Sequence, residues 1–266
     1  MKSMAEITIM GRTAEEWEAL QDVRPGVCDE CKTERDYVAP AGLCDECMEK
    51  KARRARIVDV IARLPLALRS ARLEDLRHNY PDGRPAPKIT EVKRRIQEGW
   101  AQRESLYIHG PSGGGKSTMM AAAFIQLARA GQDVWWISDR SFFDSLKAGW
   151  KQGGQDAEVI DSLVWYARSG ALFIDDLGTK DPGRWALEVL DALVSSLYES
   201  RPVCLWVSSN YNYPALARRL LVIPSGATKA EVEEANTAVE RVVSRIFEMM
   251  TPLEVPTGGN WRMGGV

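Results

Sequence analysis

Residues Gly110 to Ser117 read Gly-Pro-Ser-Gly-Gly-Gly-Lys-Ser, a complete G-x-x-x-x-G-K-[ST] pattern, and no other stretch limits the fold of this chain as strongly. The pattern requires a strand ending in a glycine turn and a helix starting near the lysine. That arrangement turns successive backbone N–H groups toward a phosphate chain, the alternative being an ordinary glycine turn before a helix. The flanks comply: Leu106-Tyr-Ile-His109 reads as the strand and Ser117 to Ala130 as the helix. In such a loop Gly113, Gly114 and Gly115 let the backbone approach the β- and γ-phosphates. Lys116 neutralises them, and Ser117 offers its hydroxyl to Mg²⁺. Gly110, Pro111, Ser112 and Thr118 complete the expected contact set. The ligand class is therefore ATP or GTP with Mg²⁺.

The 266 residues suffice for one α/β core and a small appendage, and 45% hydrophobic with 27% charged residues is the balance of a globular protein. No run reaches the ~18 apolar residues of a membrane span. The opening segment, with Glu6, Glu15, Glu16 and Glu18, is not that of a signal peptide, so a cytoplasmic protein without a membrane partner is expected. A net charge of −2 argues against a uniformly basic DNA coat. The charge is uneven, however: Lys50, Lys51, Arg53, Arg54, Arg56, Arg63, Arg69 and Arg72 share one stretch, either a solvated helix or a contact for nucleic acid or an acidic partner.

Four of five cysteines fall in Cys28-Asp-Glu-Cys31 and Cys44-Asp-Glu-Cys47, two C-x-x-C knuckles twelve residues apart. Each knuckle offers two thiolates on one turn, and two turns complete a tetrahedral S₄ shell suited to Zn²⁺. Disulfides and an iron–sulfur cluster are the alternatives. A closed S₄ shell has no position for substrate, so this zinc is expected to be structural. Cys204, in an apolar run, reads as a small buried hydrophobe. The organisation expected is a zinc module over 1–50, a basic helical linker over 51–63 and a nucleotide domain over 64–266.

Beyond the loop, Val134-Trp-Trp-Ile137, Ala171-Leu-Phe-Ile174 and Val203-Cys-Leu-Trp-Val207 are short apolar runs separated by helical stretches. That alternation predicts a parallel sheet covered on both faces, with ligands at the strands' carboxyl ends. There Asp175 is placed to hold Mg²⁺ and Asp176 to polarise the attacking water. Ser208-Ser209-Asn210 follow the next run, and Asn210 reads as a turn residue or as an amide that senses the terminal phosphate.

Gly110 to Ser117, Leu172-Phe-Ile-Asp-Asp-Leu-Gly178, Ser209-Asn210, Arg241-Val-Val-Ser-Arg245 and the closing Gly-Asn-Trp-Arg262 together resemble the AAA+ helicase loaders of the DnaC type and their IstB-type transposition relatives. The resemblance covers roughly 64–266. It implies a P-loop AAA+ (ASCE) three-layer α/β domain with a parallel central sheet, preceded here by the zinc module. It also implies slow ATP hydrolysis acting as a switch, and an N-terminal module that grips the replicative hexameric helicase for delivery to single-stranded DNA. Arg245 is implied to be a trans-acting finger in a homo-oligomer; a surface arginine paired with Glu248 is the plainer reading. Two departures stand out: Asp176 replaces a more usual glutamate, and Leu221 to Ala238 is longer than the family's connection there.

The place where such ATPases touch single-stranded DNA corresponds to Ser138 to Gly154, where Lys147, Trp150 and Lys151 combine charge with an aromatic face. Lys180 and Trp185 join them as candidates, whereas Phe142 and Phe143 read as core. An ATP-dependent, IstB-like regulator of a transposase and a scarcely hydrolysing adaptor are the competing functions.

Overall fold

The computed structural model describes residues 24–39, 42–75, 87–138, 156–179, 183–223 and 225–255. The chain divides into two compact units, Met1–Asp59 and Val60–Val266. In the first, strands β1 (Arg24–Val27) and β2 (Glu34–Val38) form an antiparallel hairpin, and helix α1 (Asp45–Ile61) starts on the second cysteine knuckle.

The second unit alternates helix and strand: α2 (Pro87–Gln102), β3 (Leu106–His109), α3 (Lys116–Arg129), β4 (Val134–Ser138), α4 (Asp156–Ser169) and β5 (Ala171–Leu177). Then follow α5 (Gly183–Glu199), β6 (Leu205–Ser209), α6 (Tyr213–Leu220), α7 (Lys229–Met249) and β7 (Thr251–Glu254). Strands β3 to β7 form one five-stranded sheet in the order β4-β5-β6-β3-β7, and every neighbouring pair is parallel. Parallel pairing needs long crossovers, which the intervening helices supply.

The apolar runs are continuous because both sheet faces are buried, and side chains alternate between two cores. On one face Tyr107, Leu172, Ile174, Leu205 and Val207 meet α4, α5, α6 and α7. On the other, Leu106, Ile108, Phe173, Trp206 and Trp136 meet α2 and α3. Phe173 is fully buried, with the rings of Phe124, Trp206 and Trp136 at 5.4, 5.6 and 6.0 Å between centroids. Phe173→Ala is expected to lower domain stability by about 3–5 kcal/mol, read from denaturant unfolding, since the three rings around it cannot collapse into the space.

The third strand departs from expectation at its boundaries. The run from Val203 predicts an end at Val207, yet β6 continues through Ser208 and Ser209, both fully buried. Their hydroxyls donate to Asp175 Oδ1 and to the Leu177 carbonyl, so their polarity does not terminate the strand. Among the described residues no helix is long and apolar enough to cross a membrane.

Candidate nucleotide and metal sites

The strand order decides the nucleotide site. Because β6 lies between β3 and β5, its carboxyl end reaches both the glycine loop and the acidic pair. Lys116 begins α3, and its buried ammonium donates to the carbonyls of Gly110 and Pro111 at 2.9 Å each and to Asn210 Oδ1 at 2.8 Å. Ser117 Oγ donates to Asp175 Oδ1 at 2.9 Å, and Ser208 Oγ donates to the same oxygen at 2.6 Å. Two adjoining hydrogen-bond networks therefore form, Lys116 with Asn210 and Ser117 and Ser208 with Asp175.

The loop itself needs its glycines. Gly115 caps α3 with φ +84°, a region that side chains with a Cβ enter at a cost. A Cβ on Gly110 would lie 2.5 Å from the Val255 carbonyl oxygen, because Val255 donates its N–H to His109 and presses the segment after β7 against the loop. Pro111 accepts from Gly114 N–H at 3.2 Å, and Ser112 is exposed on the loop's rim. Thr118 lies half-buried in the first turn of α3. A glycine turn feeding a helix N-terminus, with a lysine beside it, fits a phosphate chain. The paired Ser117 and Asp175 oxygens are the hard donors Mg²⁺ takes.

The acidic pair sits in a strand irregularity rather than beyond the strand's end. Between Ile174 and Leu177 the register of β5 against β6 shifts, and Asp176 takes φ +60°. Such a bulge re-aims side chains: Asp175 is buried while Asp176 is half-buried, its N–H held by Ser208 Oγ at 2.9 Å. Burial pushes the Asp175 carboxyl above the ordinary aspartate range. The Ser208 and Ser117 hydrogen bonds and the Lys116 charge oppose that, while the Asp176 charge adds to it.

The sequence places Ser208 at a strand's carboxyl end but does not show its bonds to the acidic pair, and it gives no sign of the contacts of Arg219. Ser208 bridges Asp175 and Asp176 from a neighbouring strand. Arg219 of α6 donates to the carbonyls of Gly178 and Thr179 at 2.9 and 3.0 Å, tethering the loop just after Asp176.

Arg245 is not brought to these networks. Its guanidinium lies 3.5 Å from Asp191 Oδ1 and donates to Ser195 Oγ, both on α5, while Arg241 lies 2.7 Å from the other Asp191 oxygen. The pairing with Glu248 expected of a surface arginine is replaced by these contacts; Glu248 instead accepts from Tyr198 at 2.6 Å. Trp185 packs half-buried against the core on the α5 side. Lys147, Trp150, Lys151 and Lys180 lie outside the described residues, as do Phe142, Phe143 and the closing segment through Arg262.

In the first unit, Cys28 closes the β1–β2 turn and Cys44 and Cys47 flank the start of α1, so that the four thiols, with Cys31, lie within 4.8 Å of one another. A tetrahedral Zn–S bond of about 2.3 Å sets sulfurs about 3.8 Å apart, so one ion fits, and soft thiolates suit zinc. No disulfide joins them: the Cys31 and Cys44 sulfurs are 4.0 Å apart and all four cysteines are free. Backbone N–H groups of Cys31 and Cys44 pull the Cys28 thiol down to about 6, whereas burial pushes Cys47 up to about 12. A dication held by the four sulfurs would favour loss of the Cys47 proton and so stabilise its thiolate.

Residues 39–214 match the IstB-like ATP-binding proteins. The chain belongs to that family. Among solved structures the fold is similar to DnaI, at 22% identity and TM-score 0.57, over 73% of this chain and 95% of that one. It is also similar to the DnaC helicase loader, at 19% and 0.53, over 72% and 100%. The replication initiator DnaA bound to AMPPCP and single-stranded DNA shares the fold at 16% and 0.50, over 73% and 52%. No curated protein gave a match. The chain is thus an IstB-like ATP-binding protein whose α/β fold is shared with DnaI and the DnaC helicase loader, with an N-terminal cysteine cluster suited to zinc.

Proposed function

We propose that the protein is an ATP-driven helicase loader: its N-terminal module holds a replicative hexameric helicase, and its ATPase domain engages single-stranded DNA. The observation that carries the nucleotide part is the placing of two hydrogen-bonded sets, Lys116 with Asn210 and Ser117 and Ser208 with Asp175, at the ends of three adjacent strands. When bound, ATP with Mg²⁺ supplies the phosphoryl chemistry. Lys116 and the loop amides hold the phosphates, Ser117 and Asp175 hold the cation, Asp176 polarises the attacking water, and Asn210 reports the terminal phosphate to Lys116. Arg245 completes a neighbouring copy's site, which requires that copy to compete with Asp191 for the guanidinium. The short Asp176 side chain suits slow turnover. Lys147, Trp150, Lys151, Lys180 and Trp185 are the proposed DNA contacts, supported by the DNA-bound relative of the same fold.

Arg219 gives this reading a local check. A charge-assisted hydrogen bond is worth about 1.5–3 kcal/mol, so freeing the loop after Asp176 with Arg219→Ala is expected to lower kcat about tenfold and leave ATP affinity unchanged. Arg219→Lys should restore part of kcat; an equal loss of affinity and kcat would point to general unfolding of the site.

The family match favours a second reading, an IstB-like regulator of a transposase. Crosslinking and co-purification of the full chain from its native cell separates the two. A hexameric helicase in the eluate supports loading, and a transposase in its place overturns it.

A further inference from the structure

Two features of the described residues lie outside the glycine loop and the acidic pair. The first is a cavity of about 350 Å³ walled by α5, the end of α6, the following loop and the first turns of α7. It is built by the long Leu221–Ala238 connection, whose helix starts at a capping box between Thr228 and Glu231. Leu187, Leu220, Ala235 and Ala238 make an aliphatic floor. Four carboxylates line it: Asp191, which Arg241 and Arg245 hold, Glu231, which caps α7 at Thr228, and the exposed Glu188 and Glu234.

The second feature is α1. Every residue from Glu49 to Arg56 is exposed, and five of those eight are cationic: Lys50, Lys51, Arg53, Arg54 and Arg56. A helix exposed on all sides draws little stability from packing. Just beyond the charges Val58 is 65% exposed, an aliphatic end to a basic rod.

We infer that the cavity receives α1 of a second copy of this chain, Val58 meeting the aliphatic floor and the basic turns meeting Glu188 and Glu234 at the mouth. Charge and polarity match on both counts: an acid-lined apolar cavity faces a basic helix with an apolar end. A phosphate backbone would use the charges and leave Val58 in water, so the second copy is the better occupant. The contact is heterologous, helix of one copy to cavity of the next, and therefore propagates into a ring or helical filament. It does not rest on the ATPase reading, and its test omits nucleotide.

The test is sedimentation velocity of the full-length protein at low salt. The wild type associates as concentration rises, and added salt weakens the association. Glu188→Lys with Glu234→Lys weakens it about tenfold, Lys51→Glu with Arg54→Glu does the same, and joining both pairs restores it to within about threefold. Restoration is a result that misfolding cannot produce. The inference is overturned by a wild type that stays monomeric, by acid reversals that leave association unchanged, or by a combined variant that keeps its circular dichroism yet fails to recover. Loss of DNA retention with intact association on reversing Lys51 and Arg54 also overturns it, assigning α1 to nucleic acid.

Discussion

An Asp176→Asn protein is expected to bind ATP as the wild type does and to hydrolyse it about 10²- to 10⁴-fold more slowly, the range lost when a positioned acid or base is removed. The substitution isolates chemistry from conformation. Asp176 stands at φ +60° inside the β5 bulge, and asparagine tolerates that left-handed region almost as aspartate does. Its N–H bond to Ser208 is a backbone contact and survives the exchange. Alanine would add about 1–2 kcal/mol of left-handed strain to the same chemical loss. Phosphate release measured beside calorimetric ATP binding checks the expectation. Hydrolysis within threefold or so of wild type would move the role of Asp176 elsewhere.

Removal of metal is expected to be as drastic for the first unit. Its described apolar cluster consists of Cys28, Cys44 and Cys47 with Leu43 against them, far too little to outweigh the entropy of folding. Structural zinc contributes about 10–16 kcal/mol in small modules, so chelation should release one zinc per chain and expose the amides of 24–59 to rapid hydrogen exchange. ATP binding by the second unit should persist. Cys28→Ser should act alike, since Cys28 also accepts the Cys44 N–H at 3.3 Å. Protected amides in 24–59 after complete metal loss would mean that something other than zinc folds the module.

Much of the domain was readable along the chain because its signals are contiguous. The glycine loop, the apolar runs of β3, β4 and β5 and the paired knuckles each lie within a few residues, and both-face burial of a parallel sheet leaves continuous hydrophobic stretches. What escaped was set by contacts between segments far apart. Ser208 reads as a polar residue beyond a strand, yet it bonds Asp175 because β6 inserts between β3 and β5. The left-handed turn at Asp176 has no glycine to announce it. Arg219 and Asp191 sit on amphipathic helices where charged residues are ordinary, and only packing shows what they hold. The long connection after α6 was visible as extra length, while the cavity it walls was not.

Titration of the full-length protein with ATP and Mg²⁺ by calorimetry tests the central claim, a phosphate site built on Lys116 and a cation site on Ser117 and Asp175. The account predicts one nucleotide per chain for the wild type and no binding heat for Lys116→Ala. Absence of binding by the wild type, or unchanged binding by Lys116→Ala, would contradict it.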